Sequence, residues 1–241
     1  MNKTTKPNSF PGVFITIEGP DGCGKSTNTP VLQKLFEELD VPVMTTREPG
    51  GTTLAENIRN IVLHHDDAAE PLHPRTELML FGSARAQHLT EKVFPALSEG
   101  IVVICDRFAL SSRAYQGHGR GLVSAAEKME EIVHPGFQPD YVLYFSISFE
   151  LSLERARSRN GVAVTGDRFE DADLELKKRI FNGFVQEMNS LDMRQPGRVI
   201  TIDATQSLDD IKVQLKIFAE FVAKTIALGY QKPSGQATLE F

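Results

Sequence analysis

The residues best suited to chemistry begin at Gly19. Gly19-Pro20-Asp21-Gly22-Cys23-Gly24-Lys25-Ser26 fits the pattern G-x-x-x-x-G-K-S/T, with Thr27 next. Glycines in such a loop let backbone N–H groups close around a polyphosphate at a helix N-terminus. Lys25 would then reach the β/γ-phosphates and the Ser26 hydroxyl would ligate Mg²⁺. A tight glycine turn with no ligand is the competing explanation, and four matched positions between a strand and a helix disfavour it. The expected ligand is a nucleoside triphosphate. Asp106 ends an apolar run, where the metal-side carboxylate of phosphate-loop proteins stands. Arg47 and Arg107 also close strands, so two guanidiniums face the ligand rim, a pairing suited to a second phosphate group. Arg155, Arg157, Arg159 and Arg168 flank residues 160–167, a glycine-containing stretch with the composition of a cationic lid. Arg155 and Arg159, four apart, share a helix face.

Positioning these groups requires a particular set of elements. Apolar, β-branched runs at 13–17, 41–46, 101–105, 141–145 and 198–202 predict five strands. Between them, three- and four-residue apolar spacing predicts helices. The first starts at Ser26 and carries Val31, Leu32, Leu35, Phe36 and Leu39; a second is capped by Thr52 or Thr53 and runs to about 63. Others cover 75–98, 111–116, 123–133, 151–158, 174–191 and 208–228. Strands alternating with helices predict an α/β fold of three layers, a five-stranded parallel sheet flanked by helices, with a mobile lid at about 155–170. Ligands in such sheets bind at the C-terminal strand ends, where each of these loops falls.

Composition narrows the function. The 241 residues suit one α/β domain, and 24% charged with 41% hydrophobic residues is ordinary for a globular chain. A net charge of −6 speaks against bulk nucleic-acid binding, and no apolar run approaches a membrane span. The two cysteines, Cys23 and Cys105, form no zinc-site spacing with histidine, so the reading is a cytoplasmic protein with reduced thiols. Cys23 is read as a small residue that fits its loop.

Several stretches together resemble thymidylate kinase, a phosphate-loop nucleoside monophosphate kinase family, over about residues 14–222. They are Glu18 to Thr27, Thr46-Arg47-Glu48-Pro49-Gly50-Gly51-Thr52, Leu80-Phe81 with Arg85, Asp106-Arg107-Phe108, Ser111 to Gly117, and Asp203-Ala204-Thr205. The resemblance implies ATP-dependent phosphorylation of dTMP to dTDP with Mg²⁺. It assigns Arg47 and Arg107 to the dTMP phosphate, stacks Phe81 on thymine and makes Arg85 a donor to a thymine carbonyl. Asp21, Ser112, Tyr115 and Gln116 are implied as sugar and base contacts, with Tyr115 crowding a 2′-OH. The adenine border falls to Asp203-Ala204-Thr205, with Arg155 also on the ATP side. Positions 20–23 hold no basic residue, which implies a catalytic arginine supplied by the lid: Arg159 first, Arg168 second. Family members are typically homodimers, and 75–98 is the candidate face.

Three further readings are weighed beside this one. Another phosphate-loop deoxynucleotide kinase would have no reason for the Phe81/Arg85 pair. A GTPase would need Asn-Lys-x-Asp after a strand, and Asn2-Lys3 precedes the loop. Residues 1–12 are read as a flexible extension, 13–230 as the kinase domain and 231–241 as a tail. In that tail Gln236, Leu239 and Phe241 resemble the Gln-x-x-Leu-x-Phe peptide that docks replication proteins onto the sliding clamp. A clamp-tethered nucleotide-binding protein is therefore the non-enzymatic alternative.

Overall fold

The computed structural model describes residues 10–65, 70–160, 168–169 and 172–228, with residues 159 and 160 described by their backbone. Five strands, β1 (Phe14–Glu18), β2 (Val43–Arg47), β3 (Val102–Asp106), β4 (Tyr141–Ser146) and β5 (Val199–Asp203), form one sheet in the order β2-β3-β1-β4-β5. Every pairing is parallel. The expected α/β architecture is present.

Strand β1 is buried along its whole length, because helices cover both faces of the sheet. Its residues alternate between two cores. Ile15 and Ile17 pack with Leu143, Phe145, Leu32 and Phe36 of α1 (Lys25–Glu37), and with Leu215 and Phe218 of the last helix (Leu208–Ala227). Phe14 points the other way, into Leu89, Val93, Leu97 and Phe108. Farther along that face Val142 and Tyr144 meet Ile180 and Phe184 of the helix Leu174–Arg194. The β1–β4 half of the sheet thus lies between two helical layers.

Central β1 has β3 on one side and β4 on the other, so the chain's progress across the sheet reverses there. A crevice opens at the C-terminal strand ends at such a point. Between β2 and β3 stand α2 (Thr53–His64) and α3 (Pro74–His88). The Thr52 hydroxyl caps α2 by accepting from Ala55 N–H at 3.3 Å, one of the two caps expected.

Two helices differ from the periodic pattern. The expected helix over 75–98 is interrupted by a π turn, Leu89–Val93, before α4 (Phe94–Ser98). Pro95 has no N–H to donate, and the bond just ahead of it runs from Phe94 N–H to Leu89 C=O, five residues back. The segment expected at 111–116 starts earlier, as α5 (Ala109–Ser112), and widens into a π-helical stretch, Arg113–Gly119. Close packing shapes that stretch: a Cβ on Gly119 would lie 2.8 Å from Ile180, and one on Gly183 would lie 2.7 Å from His118 Cβ. Beyond it come α6 (Val123–Val133), α7 (Phe149–Asn160), α8 (Leu174–Arg194) and α9 (Leu208–Ala227). Among the described residues no helix is long and apolar enough to cross a membrane.

Candidate active site

At the end of β1 the chain turns through Gly19 to Gly24 and enters α1. Gly24 holds a left-handed φ of 94° at the N-cap and provides no side-chain cap, so the first-turn N–H groups are left for an anion. Gly22 packs against α7 so closely that a Cβ would come within 2.3 Å of Ser152 C=O. Lys25 is buried, donating from Nζ to Gly19 C=O at 2.8 Å and Pro20 C=O at 2.9 Å. Cys23 is buried beneath the loop with Sγ 3.6 Å from that ammonium. Ser26 and Thr27 are exposed on the first turn.

Asp106 closes β3, beside Ile17 of β1. Its Oδ1 is buried without a hydrogen-bond partner, a costly state for a carboxylate unless a cation or its hydration shell meets it. This orphaned oxygen at the metal-side strand position, with the open Ser26 hydroxyl at the head of α1, suits Mg²⁺.

Arg107 has a φ of 70°, unfavourable for a residue with a Cβ. That backbone turn sends the guanidinium back over the phosphate loop. Nη1 donates to Ser111 Oγ at 3.0 Å and Gly19 C=O at 3.4 Å, while Nη2 pairs with Asp21 Oδ1 and lies 3.2 Å from Tyr115 Oη. Burial works against this charge, and the Tyr115 phenol with the carboxyls of Asp21, Asp106 and Glu18 outweighs it, holding the proton more firmly than usual. Tyr115 Oη donates in turn to Asp21 Oδ2 at 2.6 Å. Glu18 lies underneath, accepting from Phe108 N–H at 2.8 Å and Ser111 Oγ at 2.6 Å. Burial pushes its carboxyl above 4.5, more than these bonds and the nearby cations pull it down.

Next to the loop opens a cavity that runs from the phosphate loop to the walls formed by α2, α3 and the π-helical stretch. Asp21, Phe81, Arg85, Arg107, Ser112, Tyr115 and Gln116, all expected site residues, line it together. Arg85 is buried, with Nε on Glu48 Oε2 at 2.7 Å and Nη2 on Ser112 Oγ at 2.8 Å. Gln116 donates from Nε2 to Glu77 Oε1 at 2.9 Å. Phe81 and Phe169 tilt against each other in the wall, centroids 6.3 Å apart.

Two of the expected arginines have carboxylate partners away from the cavity lining. Arg47 does not line the cavity: its side chain is 52% exposed and pairs with Glu56 at 2.8 Å. Arg59 on α2 lines it instead, donating to Pro49 C=O at 2.9 Å. A cation on the second turn of a helix that starts at a strand-end loop can reach back over that loop, the spacing from Thr52 that could have revealed it. Arg168 pairs with a carboxylate of α3. Its Nη2 pairs with buried Glu77 at 2.6 Å, a carboxylate already shared with Arg120. Arg155 lies on the far side of the loop, donating to Ala204 C=O at 2.7 Å beside Thr205. Arg159 belongs to the last turn of α7 and its side chain lies outside the described residues, as do 161–167 and the tail with Gln236, Leu239 and Phe241.

Glu48, not singled out from the sequence, lines the cavity and binds Arg85 from behind. Its Oε1 meets His88 Nδ1 at 3.0 Å, and His88 Nε2 meets Thr46 Oγ1 at 2.7 Å. Glu48, His88 and Cys105 bring potential metal ligands within 4.8 Å of one another. Both imidazole nitrogens are taken, however, and Arg85 already neutralises Glu48. Burial pushes the Cys105 thiol up, away from the thiolate a metal needs. The cluster is an anchor for Arg85. Burial raises the Glu48 carboxyl, and Arg85 and His88 more than offset it, holding it below 4.5. Its stabilising contribution is therefore complete above pH 4.5 and disappears as pH falls through the depressed folded-state value. Denaturant titrations stepped from roughly pH 6 to roughly pH 3 should show a steeper loss of stability in the wild type than in Glu48→Gln.

A phosphate loop on the central strand, joined to a cavity lined by Arg59, Arg85 and Arg107, defines a phosphate-loop phosphotransferase of the α/β class. Residues 17–215 match the family model described as thymidylate kinase. The chain is 44% identical over 204 residues to a thymidylate kinase of Pseudomonas fluorescens, covering 84% of this chain and 91% of that one. It is 38% identical over 208 residues to one of Clostridium novyi (86% and 98%), and 40% identical over 203 to one of Finegoldia magna (83% and 93%). This chain belongs to the thymidylate kinase family.

Proposed function

We propose that this protein transfers the γ-phosphoryl group of ATP to dTMP, giving dTDP and ADP. One observation supports the base assignment above the rest. Two lining residues of the cavity each keep a buried polar atom without a partner: Arg85 Nη1, a donor, and Gln116 Oε1, an acceptor. Thymine offers the complement, a carbonyl oxygen beside a ring N–H. Cytosine would set an amino group against the guanidinium and a bare nitrogen against the amide oxygen, leaving buried groups unpaired. Phe81 supplies a flat apolar wall for the ring, and Tyr115 takes the place that crowds a 2′-OH.

The acceptor phosphate meets Arg107 and Arg59, and the triphosphate meets Lys25 and the first-turn amides of α1. A phosphate oxygen of dTMP is already a competent nucleophile, so no general base is needed. It forms a bond to the γ-phosphorus as the bond to the β,γ-bridging oxygen breaks, and ADP leaves with that electron pair. These residues hold the two phosphates in line and neutralise the charge that spreads over the transferring group. Ser26 and Asp106 would hold Mg²⁺, which when bound neutralises part of the triphosphate charge. Arg159 is assigned the catalytic lid position, and Arg155 with Thr205 borders adenine.

The protein is further proposed to be a cytoplasmic homodimer. Exposed Met79 on α3 supports a face within 75–98, and sedimentation would test it. Clamp binding through Gln236, Leu239 and Phe241 remains a separate proposal, removed if deleting 236–241 leaves binding to the cognate clamp unchanged.

A coupled ADP-release assay with Mg·ATP, supplied separately with dTMP, dUMP, dCMP, dGMP, UMP and AMP, tests the central reading. Turnover is expected mainly with dTMP. Turnover with another monophosphate but not dTMP would overturn the base assignment.

A further inference from the structure

Glu77 lies on α3 with its side chain wholly buried, and donors converge on it. Oε2 accepts from Arg168 Nη2 at 2.6 Å and Arg120 Nη2 at 3.0 Å. Oε1 accepts from Gln116 Nε2 at 2.9 Å and Arg120 Nε at 3.4 Å. Both carboxylate oxygens are thus engaged as acceptors of donated hydrogen bonds.

That restriction passes to Gln116. An amide side chain can present its NH₂ or its oxygen by a half-turn, and an unsupported glutamine would serve a base of either polarity. Against Glu77 the half-turn would place oxygen against oxygen in a buried site, so the NH₂ must face the carboxylate. The amide oxygen, buried and without a hydrogen-bond partner, is thereby held as the acceptor on a residue that lines the cavity. Glu48 acts in parallel on the other reader, since it and Ser112 occupy Nε and Nη2 of Arg85 and leave Nη1 as the free donor.

We propose that Glu77 is a specificity-determining positioning residue: it fixes Gln116 as an acceptor, so that the cavity selects a pyrimidine with an N–H at ring position 3 over one with a bare nitrogen there. This rests on the reading of the cavity as a pyrimidine monophosphate site. Glu77 does not touch the nucleotide in this arrangement. It acts through the amide.

Glu77→Gln tests the idea because it keeps the shape and reverses one polarity. The introduced carbonyl is drawn to the Oε2 position, where two guanidiniums donate. The introduced NH₂ then faces Gln116, whose oxygen turns toward it, and an N–H donor enters the cavity. The kcat/KM ratio of dTMP over dCMP is expected to fall by about tenfold or more, while the ratio of dTMP over dUMP, which share the same N–H and carbonyl, stays within about twofold. Both ratios come from one preparation and do not depend on the fraction that is folded. Should E77Q fail to accumulate as folded protein, E77Q/R120M removes one cation together with the carboxylate charge and leaves the net charge of the cluster unchanged. The same shift in the dTMP/dCMP ratio is expected there.

Parallel losses with all three substrates, both ratios unchanged, would overturn the proposal and leave Glu77 a support of the fold. Failure of the wild type to use dTMP would appear before any variant is made, and would overturn the underlying base assignment instead.

Discussion

Lys25→Met is expected to lower kcat by about 10³-fold, the usual scale for removing a charged group aimed at a developing transition state. In the structure the Lys25 ammonium donates to the carbonyls of Gly19 and Pro20. On binding ATP it exchanges these neutral acceptors for phosphate oxygens, which make stronger, charge-assisted bonds. Methionine keeps the buried stem and its packing but gives up the charge, so the fold should survive. Steady-state rates at saturating ATP and dTMP, with a thermal melt of the same sample, separate the two effects. A variant retaining a tenth or more of the wild-type kcat would mean that other groups neutralise the transferring phosphoryl.

Arg85→Ala combines a stability effect with a selectivity effect. The guanidinium is buried against Glu48 and Ser112, and its carbon stands 4.8 Å from the centre of the Phe108 ring. Truncation leaves Glu48 buried with only His88 near it. Breaking a buried pair in this way costs about 3–5 kcal/mol. For a chain of this size that corresponds to a fall in Tm on the order of 10 °C. Adding Glu48→Gln to Arg85→Ala should recover part of the loss, since the stranded charge is then gone, and a double-mutant cycle in denaturant measures the coupling. The surviving enzyme should also lose roughly ten- to hundredfold in its preference for dTMP over dCMP, because one of the two base-reading groups has been removed. Equal stability of wild type and R85A would show that the Glu48 pair adds nothing to the fold.

The family, the α/β architecture and the phosphate loop were legible without coordinates, for reasons of range. A phosphate loop needs its glycines, lysine and serine within one short stretch, so its chemistry is written locally. Continuous apolar runs such as 101–105 and 141–145 mark strands covered on both faces, and helix 123–133 was legible from its spacing to the residue. Asp106, Arg107, Arg85 and Gln116 could be named because family-specific motifs carry them. What those motifs could not convey was the partner of each side chain.

Tertiary structure separates Arg47 and Arg59, two cations near one loop. Glu56 takes the first and leaves the second over the cavity, a choice made by helix α2 folding back on the strand end. It also pairs Arg168 with Glu77, 91 positions away. Glu48 with His88, and Glu77 with Gln116, lie 40 and 39 residues apart, and no periodicity announces such pairs. The π turns escaped for a related reason, since they follow from a missing donor at Pro95 and from glycine contacts with another helix. Local patterns therefore determined the scaffold and the phosphate chemistry. The polarity of the base pocket depends on which buried carboxylate stands behind which reader, and only packing across the fold brings those groups together.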